Sequence, residues 1–180
     1  GQYREEEATC NGCAGYPKYD QVTGLLSFNR FREEVDSVIA SGKGKSCLLV
    51  YTDLENFKYF NRKYGYAAGD QLLREFTGYI IDTLKKRNTA HFTRVVADQF
   101  ILFFEEKWNN GSIEAIKRIN NGFIERQQRK YPEAKLRLRT GVYKVEKDCD
   151  GASFAIDAAN YARRQIQDNS PETVCVYDKT

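Results

Sequence analysis

RVVADQFILFF, residues Arg94–Phe104, sets a polar pair, Asp98-Gln99, between two apolar runs. The strings HFTRVVA and QFILFFEE on either side of Asp98 have the composition of strands, so the stretch predicts a β-hairpin with a polar turn. By itself such a string is an ordinary hairpin tip, and its neighbours in the chain decide what the tip is for.

Before the hairpin, GDQLLREFTGYIIDTLKK places Leu72, Leu73, Phe76, Ile80, Ile81 and Leu84 on one helical stripe, and ENFKYFNRKYG reads as a separate helix. SCLLVYTDL is a buried strand. SFNRFREEVDSVIA spaces Phe28, Phe31, Val35 and Val38 or Ile39 as a helix, which Gly42 and Gly44 end. After the hairpin come a long helix, SIEAIKRINNGFIERQQRKY, and an alternating strand, KLRLRTGVYKV. A last helix, GASFAIDAANYARRQIQ, and a last strand, TVCVYD, complete the chain. The alternation assigns Lys135, Arg137 and Arg139 to a solvated face rather than a nucleic-acid patch. The order helix, strand, helix, helix, hairpin, helix, strand, helix, strand predicts an α+β fold with helices over a mainly antiparallel sheet. Residues 1–18 read as a linker or the end of an upstream helix, and 19–180 as one domain.

Composition narrows the function. A chain of 180 residues, 41% hydrophobic, can bury one full core. A net charge of +3 from 28 basic and 25 acidic residues is a mixed surface, not the concentrated basic field that nucleic acid selects, and it gives no membrane surface a handle. With no long apolar run and no leader, the expectation is a cytoplasmic domain; an initial Gly and the lack of Met suggest a piece of a longer protein. Five cysteines, an odd number, fit reduced thiols. Cys10 and Cys13 have the spacing of half a zinc site without a second pair, and Cys47 and Cys175 lie in apolar runs that suit buried thiols. His91 has no Ser, Cys or Asp partner at a recognisable spacing and reads as a structural or solvated residue, and Trp108 stands at a loop entry, where an aromatic ring covers a core edge. GKGKS, Gly42–Ser46, ends like a phosphate-binding loop but runs from helix to strand, the wrong direction, with Ile39 where another Gly is required.

The chemistry candidates lie at element ends. In YTDLENFKYFNRKYGYAAGD, Asp53 closes a strand, Lys58 and Asn61 follow on a helix, and Asp70 opens the next one. Carboxylates at strand ends commonly hold Mg²⁺, a hard cation that prefers oxygen ligands. An Asn with an Asp can read a guanine edge, the carboxylate accepting from its ring and amino hydrogens. Singly, Asp53 is an ordinary strand-end acid and Asp70 an ordinary helix cap.

Three ordered blocks then resemble one family, the GGDEF domains of diguanylate cyclases, which condense two GTP into cyclic di-GMP. DQVTGL, Asp20–Leu25, is similar to the family's Asp-x-Leu-Thr-Gly-Leu, with Val22 for Leu. DLENFKYFN with its downstream Gly69-Asp70 resembles Asp-x-Asp-x-Phe-Lys-x-x-Asn and Gly-Asp, with Glu55 for the second Asp. RVVADQF resembles Arg-x-Gly-Gly-Asp-Glu-Phe, so the polar turn takes the place of the signature hairpin. The resemblance implies a nucleotidyl-cyclase-like fold with a ferredoxin-like core. It implies metal at Asp53, the Leu54 carbonyl and Asp98, guanine at Asn61 and Asp70, and phosphate charge met by Lys58 and Arg164.

The departures concentrate in the turn. Val96-Ala97 replaces Gly-Gly, and Val96 is expected to crowd and stiffen the site. Gln99 replaces the signature Glu and carries no charge for metal or for proton transfer. QDNSPET replaces a Gly-Arg-Asn segment, removing a phosphate-binding Arg, and no Arg-x-x-Asp precedes the hairpin to form a product-inhibition site. These features predict a degenerate domain, with Asp98 vestigial, that no longer makes cyclic di-GMP but holds GTP with Mg²⁺. Its expected partners are neighbouring domains of a longer signalling protein, an EAL phosphodiesterase among them, and a second copy of the chain. An active cyclase and a purely structural dimerisation module are the rival readings.

Overall fold

The structure, a computed structural model, describes residues 17–44, 47–85, 90–105, 107–109 and 111–179. Cys10, Cys13, most of the linker reading and the end of GKGKS lie outside them. The elements follow the expected order: α1 (Phe28–Ala40), β1 (Leu48–Glu55), α2 (Phe57–Tyr64), α3 (Tyr66–Thr83), β2 (Ala90–Val96), β3 (Gln99–Phe104), α4 (Ser112–Lys130), β4 (Arg137–Lys144), α5 (Ala152–Arg164) and β5 (Val174–Val176).

The strands form one sheet in the order β2-β3-β1-β4-β5. Among these described strands, β4 and β5, which α5 connects, pair in parallel and the other neighbours antiparallel. β1 is central, and every residue of it is buried. Its alternation therefore separates two buried faces rather than core from solvent. Leu48, Val50 and Leu54 face Phe60, Leu72, Leu73, Phe76 and Phe123 of α2, α3 and α4. Leu49 and Tyr51 face Phe31 and Val35 of α1 and Ala155 and Ala159 of α5. Asp53 and Glu55 continue this second face at the end of the strand.

α5 lies unusually close to the sheet. Its buried face is Ala152, Ala155, Ala158, Ala159 and Ala162 around a single Ile156, and β4 offers Gly141 beneath it. A Cβ on Gly141 would stand 1.9 Å from the Ala159 carbonyl oxygen and 2.4 Å from the Arg163 nitrogen. This approach carries the C-terminal end of α5 over the end of β1.

Several expectations shift. α3 begins at Tyr66, because Gly65, at φ +94°, breaks the chain from α2 there. Asp70 thus lies a turn inside the helix and is no cap. Ile81 is 47% exposed, off the apolar stripe. Cys47 is buried but Cys175 only half so. His91 takes the structural of its two expected roles: its ring nitrogens face Glu34 Oε2 at 2.9 Å and Glu105 Oε2 at 2.6 Å, tying α1 to the sheet edge. The half-buried Trp108 packs on the core edge, with Lys144 Nζ 4.5 Å from its ring centroid.

Candidate functional site

The hairpin is built from its first residue, Arg94. Its Nε donates to the Ala97 carbonyl at 2.7 Å, and its Nη1 reaches both oxygens of Asp20 at 3.2 and 3.3 Å. Asp20 in turn accepts from the Thr23 amide at 2.8 Å and hydroxyl at 2.7 Å. The DQVTGL and RVVADQF blocks, far apart in the chain, are thus one hydrogen-bonded unit.

Gln99 already belongs to β3, which moves the turn to Ala97-Asp98. Ala97 carries φ +49°, whereas Val96 is not among the residues of positive φ. The conformational cost of losing Gly-Gly therefore falls on Ala97, and the expected stiffening by Val96 is corrected: its side chain is 59% exposed at the rim. Ala97→Gly should stabilise the domain by about 0.5–1 kcal/mol, the left-handed penalty less glycine's greater chain entropy. A urea melt reads this as a higher midpoint at unchanged slope; no gain would contradict the turn geometry.

Behind the turn, the Leu54 amide donates to Asp98 Oδ2 at 3.0 Å, so the tip is held against the end of β1. Burial, and next the negative charge of Asp53, push the Asp98 carboxyl above its ordinary range. The Tyr51 hydroxyl donates to Gln99 Oε1 at 2.7 Å, and burial raises its pKa, keeping it a donor.

Asp53, 4% exposed, does not face open space. In the β1–β4 register it lies opposite Arg139, and Glu55 lies opposite Arg137. Arg139 Nε and Nη2 each meet one Asp53 oxygen at 3.0 Å, a two-pronged charged contact. Arg163 reaches over from α5 and donates through Nη1 to Asp53 Oδ2. Its other nitrogens are held by Asn160 Oδ1 at 3.1 and 2.7 Å, and its guanidinium lies 5.1 Å from the Tyr51 ring centroid. Arg137 pairs with Glu55 at 2.7 and 3.1 Å.

The segment after α5 closes this ladder. Asp168 accepts from Arg139 Nη1 at 2.9 Å, the Gln167 carbonyl accepts from Arg137 at 3.0 Å, and the Asn169 amide reaches Glu55.

On the opposite sheet face, Asn61 near the end of α2 meets Gly69 of α3. A Cβ on Gly69 would lie 1.8 Å from Asn61 Oδ1, so glycine there admits the amide. This Oδ1 is buried without a hydrogen-bond partner among the described residues. Asp70 follows at the same corner, half-buried. Lys58 is exposed on α2, and Arg164 is exposed on α5, in a shallow cavity with Phe154, Asp157, Asn160, Tyr161 and Tyr177.

A family model described as "Diguanylate cyclase, GGDEF domain" matches residues 17–171. The chain belongs to the GGDEF family.

Among curated relatives of this GGDEF domain, the diguanylate cyclase DgcS of Shewanella oneidensis is 32% identical over 89 residues, which are 48% of this chain and 29% of that protein. The cyclic di-GMP phosphodiesterase PdeR of Escherichia coli is 28% identical over 130 residues, 72% of this chain and 18% of that protein. The chain thus spans less than a third of the length of either relative. The solved GGDEF domain of DgcB from Caulobacter crescentus, in complex with c-di-GMP, superposes with a TM-score of 0.73 at 18% identity, covering 88% of this chain and 92% of that one. The active GGEEF domain of a diguanylate cyclase from Vibrio cholerae gives 0.69 at 16% identity, covering 87% and 99%. At such identities the solved structures speak for the fold, which is the α+β, nucleotidyl-cyclase-like fold expected. Among the described residues no helix is long and apolar enough to cross a membrane.

Asp53, Leu54 and Asp98 do converge in this GGDEF domain, but the donor set does not fit Mg²⁺. Both Asp53 oxygens are taken by guanidinium groups, Asp98 accepts from a backbone amide, and Gln99 is neutral and bonded to Tyr51. Among the described residues no group of three or more His, Cys, Asp or Glu side chains could hold a metal ion. The sequence reasoning missed Arg139, placed on a solvated face, and Arg163, passed over for its neighbour Arg164. The signal for the first was the pair Arg137, Arg139 at the same two-residue spacing as Asp53, Glu55.

Proposed function

We propose that this GGDEF domain is catalytically silent and regulatory: it reads a guanine nucleotide at Asn61 and Asp70 and passes its occupancy to a neighbouring domain of a longer signalling protein. The observation that carries the reading is the unpaired, buried Oδ1 of Asn61 beside Gly69-Asp70. An orphaned acceptor costs about 1–3 kcal/mol, and a base N–H at this corner would relieve it. Asp70 supplies the second acceptor, and no capping role accounts for it. Silence follows from the other face, where the carboxylate at the family's metal position already neutralises Arg139 and Arg163 and the signature acid is Gln99. A phosphodiesterase neighbour of the EAL type agrees with the likeness to PdeR, of which this chain matches only a minor part.

Titration calorimetry with GTP and ATP tests the reading. GTP should bind the tighter of the two, and Asp70→Ala should remove most of the difference, on the order of 1–3 kcal/mol for a charged hydrogen bond. The same sample, incubated with GTP and Mg²⁺ at high protein concentration, should form no cyclic di-GMP. Turnover would establish the active cyclase instead, and equal or absent affinity for both nucleotides would leave a structural dimerisation module.

A further inference from the structure

We infer that Arg139 and Arg163 have taken the place of the divalent cation in this domain, so that Asp53 serves as their fixed counter-ion and guanine nucleotide binds without a metal at Asp53. Three features carry this. The guanidinium groups come from two elements, β4 and α5, and between them meet both Asp53 oxygens. Each is anchored from behind, Arg139 by Asp168 and Arg163 by Asn160 and the Tyr51 ring. A guanidinium is a permanently charged, planar donor fork that matches a carboxylate. A divalent ion at about 2.1 Å from these oxygens would stand against two positive charges. The Ala-lined face of α5 and Gly141 beneath it hold Arg163 at this reach, so the substitution is built into the packing of the fold.

The ion half of this inference stands independently; the nucleotide half rests on the guanine site proposed above. Mn²⁺, a paramagnetic stand-in for Mg²⁺, is titrated into nucleotide-free protein while backbone amide resonances are followed. In the wild type the signals of Asp53, Leu54 and Asp98 should not broaden selectively, and Mn²⁺ should not raise Tm. In Arg139→Ser/Arg163→Ala these signals should broaden and Tm should rise with Mn²⁺, since Asp53 is left without a counter-ion. Selective broadening in the wild type overturns the inference without any substitution being needed, and so does a folded double variant that stays silent. Should the double variant not fold, Arg139→Ser alone frees Asp53 Oδ1 and should show the weaker form of the same broadening. In the wild type, GTP affinity in EDTA and in Mg²⁺ should agree within about twofold, that is, to within roughly 0.4 kcal/mol. A large Mg²⁺ dependence overturns the nucleotide half. Absence of GTP binding under both conditions overturns it too, through the guanine site, while the Mn²⁺ result still decides the role of the arginines.

Discussion

Asp53→Ala should destabilise the folded domain by about 3 kcal/mol, the lower end for breaking a buried ion pair, because Arg139 retains some solvent. The sign is the informative part. An acid kept for a metal stands near another acid, and removing it from metal-free protein relieves repulsion and stabilises. Here Asp53 is near Asp98 as well, but it meets two guanidinium groups. Its loss leaves Arg163, 10% exposed, with its charge uncompensated. For a domain of this size the fall in Tm should be roughly 6–12 °C. Asp53→Asn should fall in the same direction, since an amide keeps the shape without the charge. A rise in Tm for either variant would mean that the carboxylate is free of the arginines in solution.

Gly141→Ala should cost about 3 kcal/mol or more, the upper end of the overpacking range, for a single added methyl group. The atoms it would strike are the Ala159 carbonyl oxygen at 1.9 Å and the Arg163 nitrogen at 2.4 Å, both backbone, so no side-chain rotation relieves the clash. α5 must lift from β4, and Arg163 must leave Asp53 with it. The variant should therefore show a loss of Tm comparable to that of Asp53→Ala, and the two together should lose less than their sum, because they break a shared interaction. Full additivity in the double variant would separate the packing of α5 from the clamp on Asp53.

The order of elements was legible because apolar periodicity survives in every one of them, from the Leu72-Leu73-Phe76-Ile80 stripe of α3 to the continuous apolar run of β1. Boundaries were less so. Tyr66, Ala67 and Ala68 carry no strong apolar stripe, so the sequence pattern starts α3 too late and makes Asp70 look like a cap. Asp98-Gln99 reads as the turn because both are polar, whereas the backbone pairing of Gln99 with Val96 makes Gln99 the first residue of β3. Asp53, Asn61 and Asp70 could be named as candidates from their places near element ends, and Asp98 and the blocks around Asp20 and Arg94 from their resemblance to a family's motifs; that Arg94 joins those blocks could not.

What the sequence by itself determined is local: which segments are helix or strand, which family they belong to, and which acids end β1 and the hairpin. What only the tertiary structure decided is how those acids are neutralised. Arg139 reads as solvent-facing until the antiparallel register of β1 on β4 sets it directly across from Asp53. Arg163 and Arg164 are indistinguishable as letters, and the rotation of about 100° per residue along α5 sends one to Asp53 and the other to solvent. Charge compensation depends on distances of a few ångströms between segments that are 86 and 110 positions apart in the chain. Periodicity carries no record of such distances, and so the ion-pair cluster around Asp53 became visible only once the strands were paired and α5 was laid against Gly141.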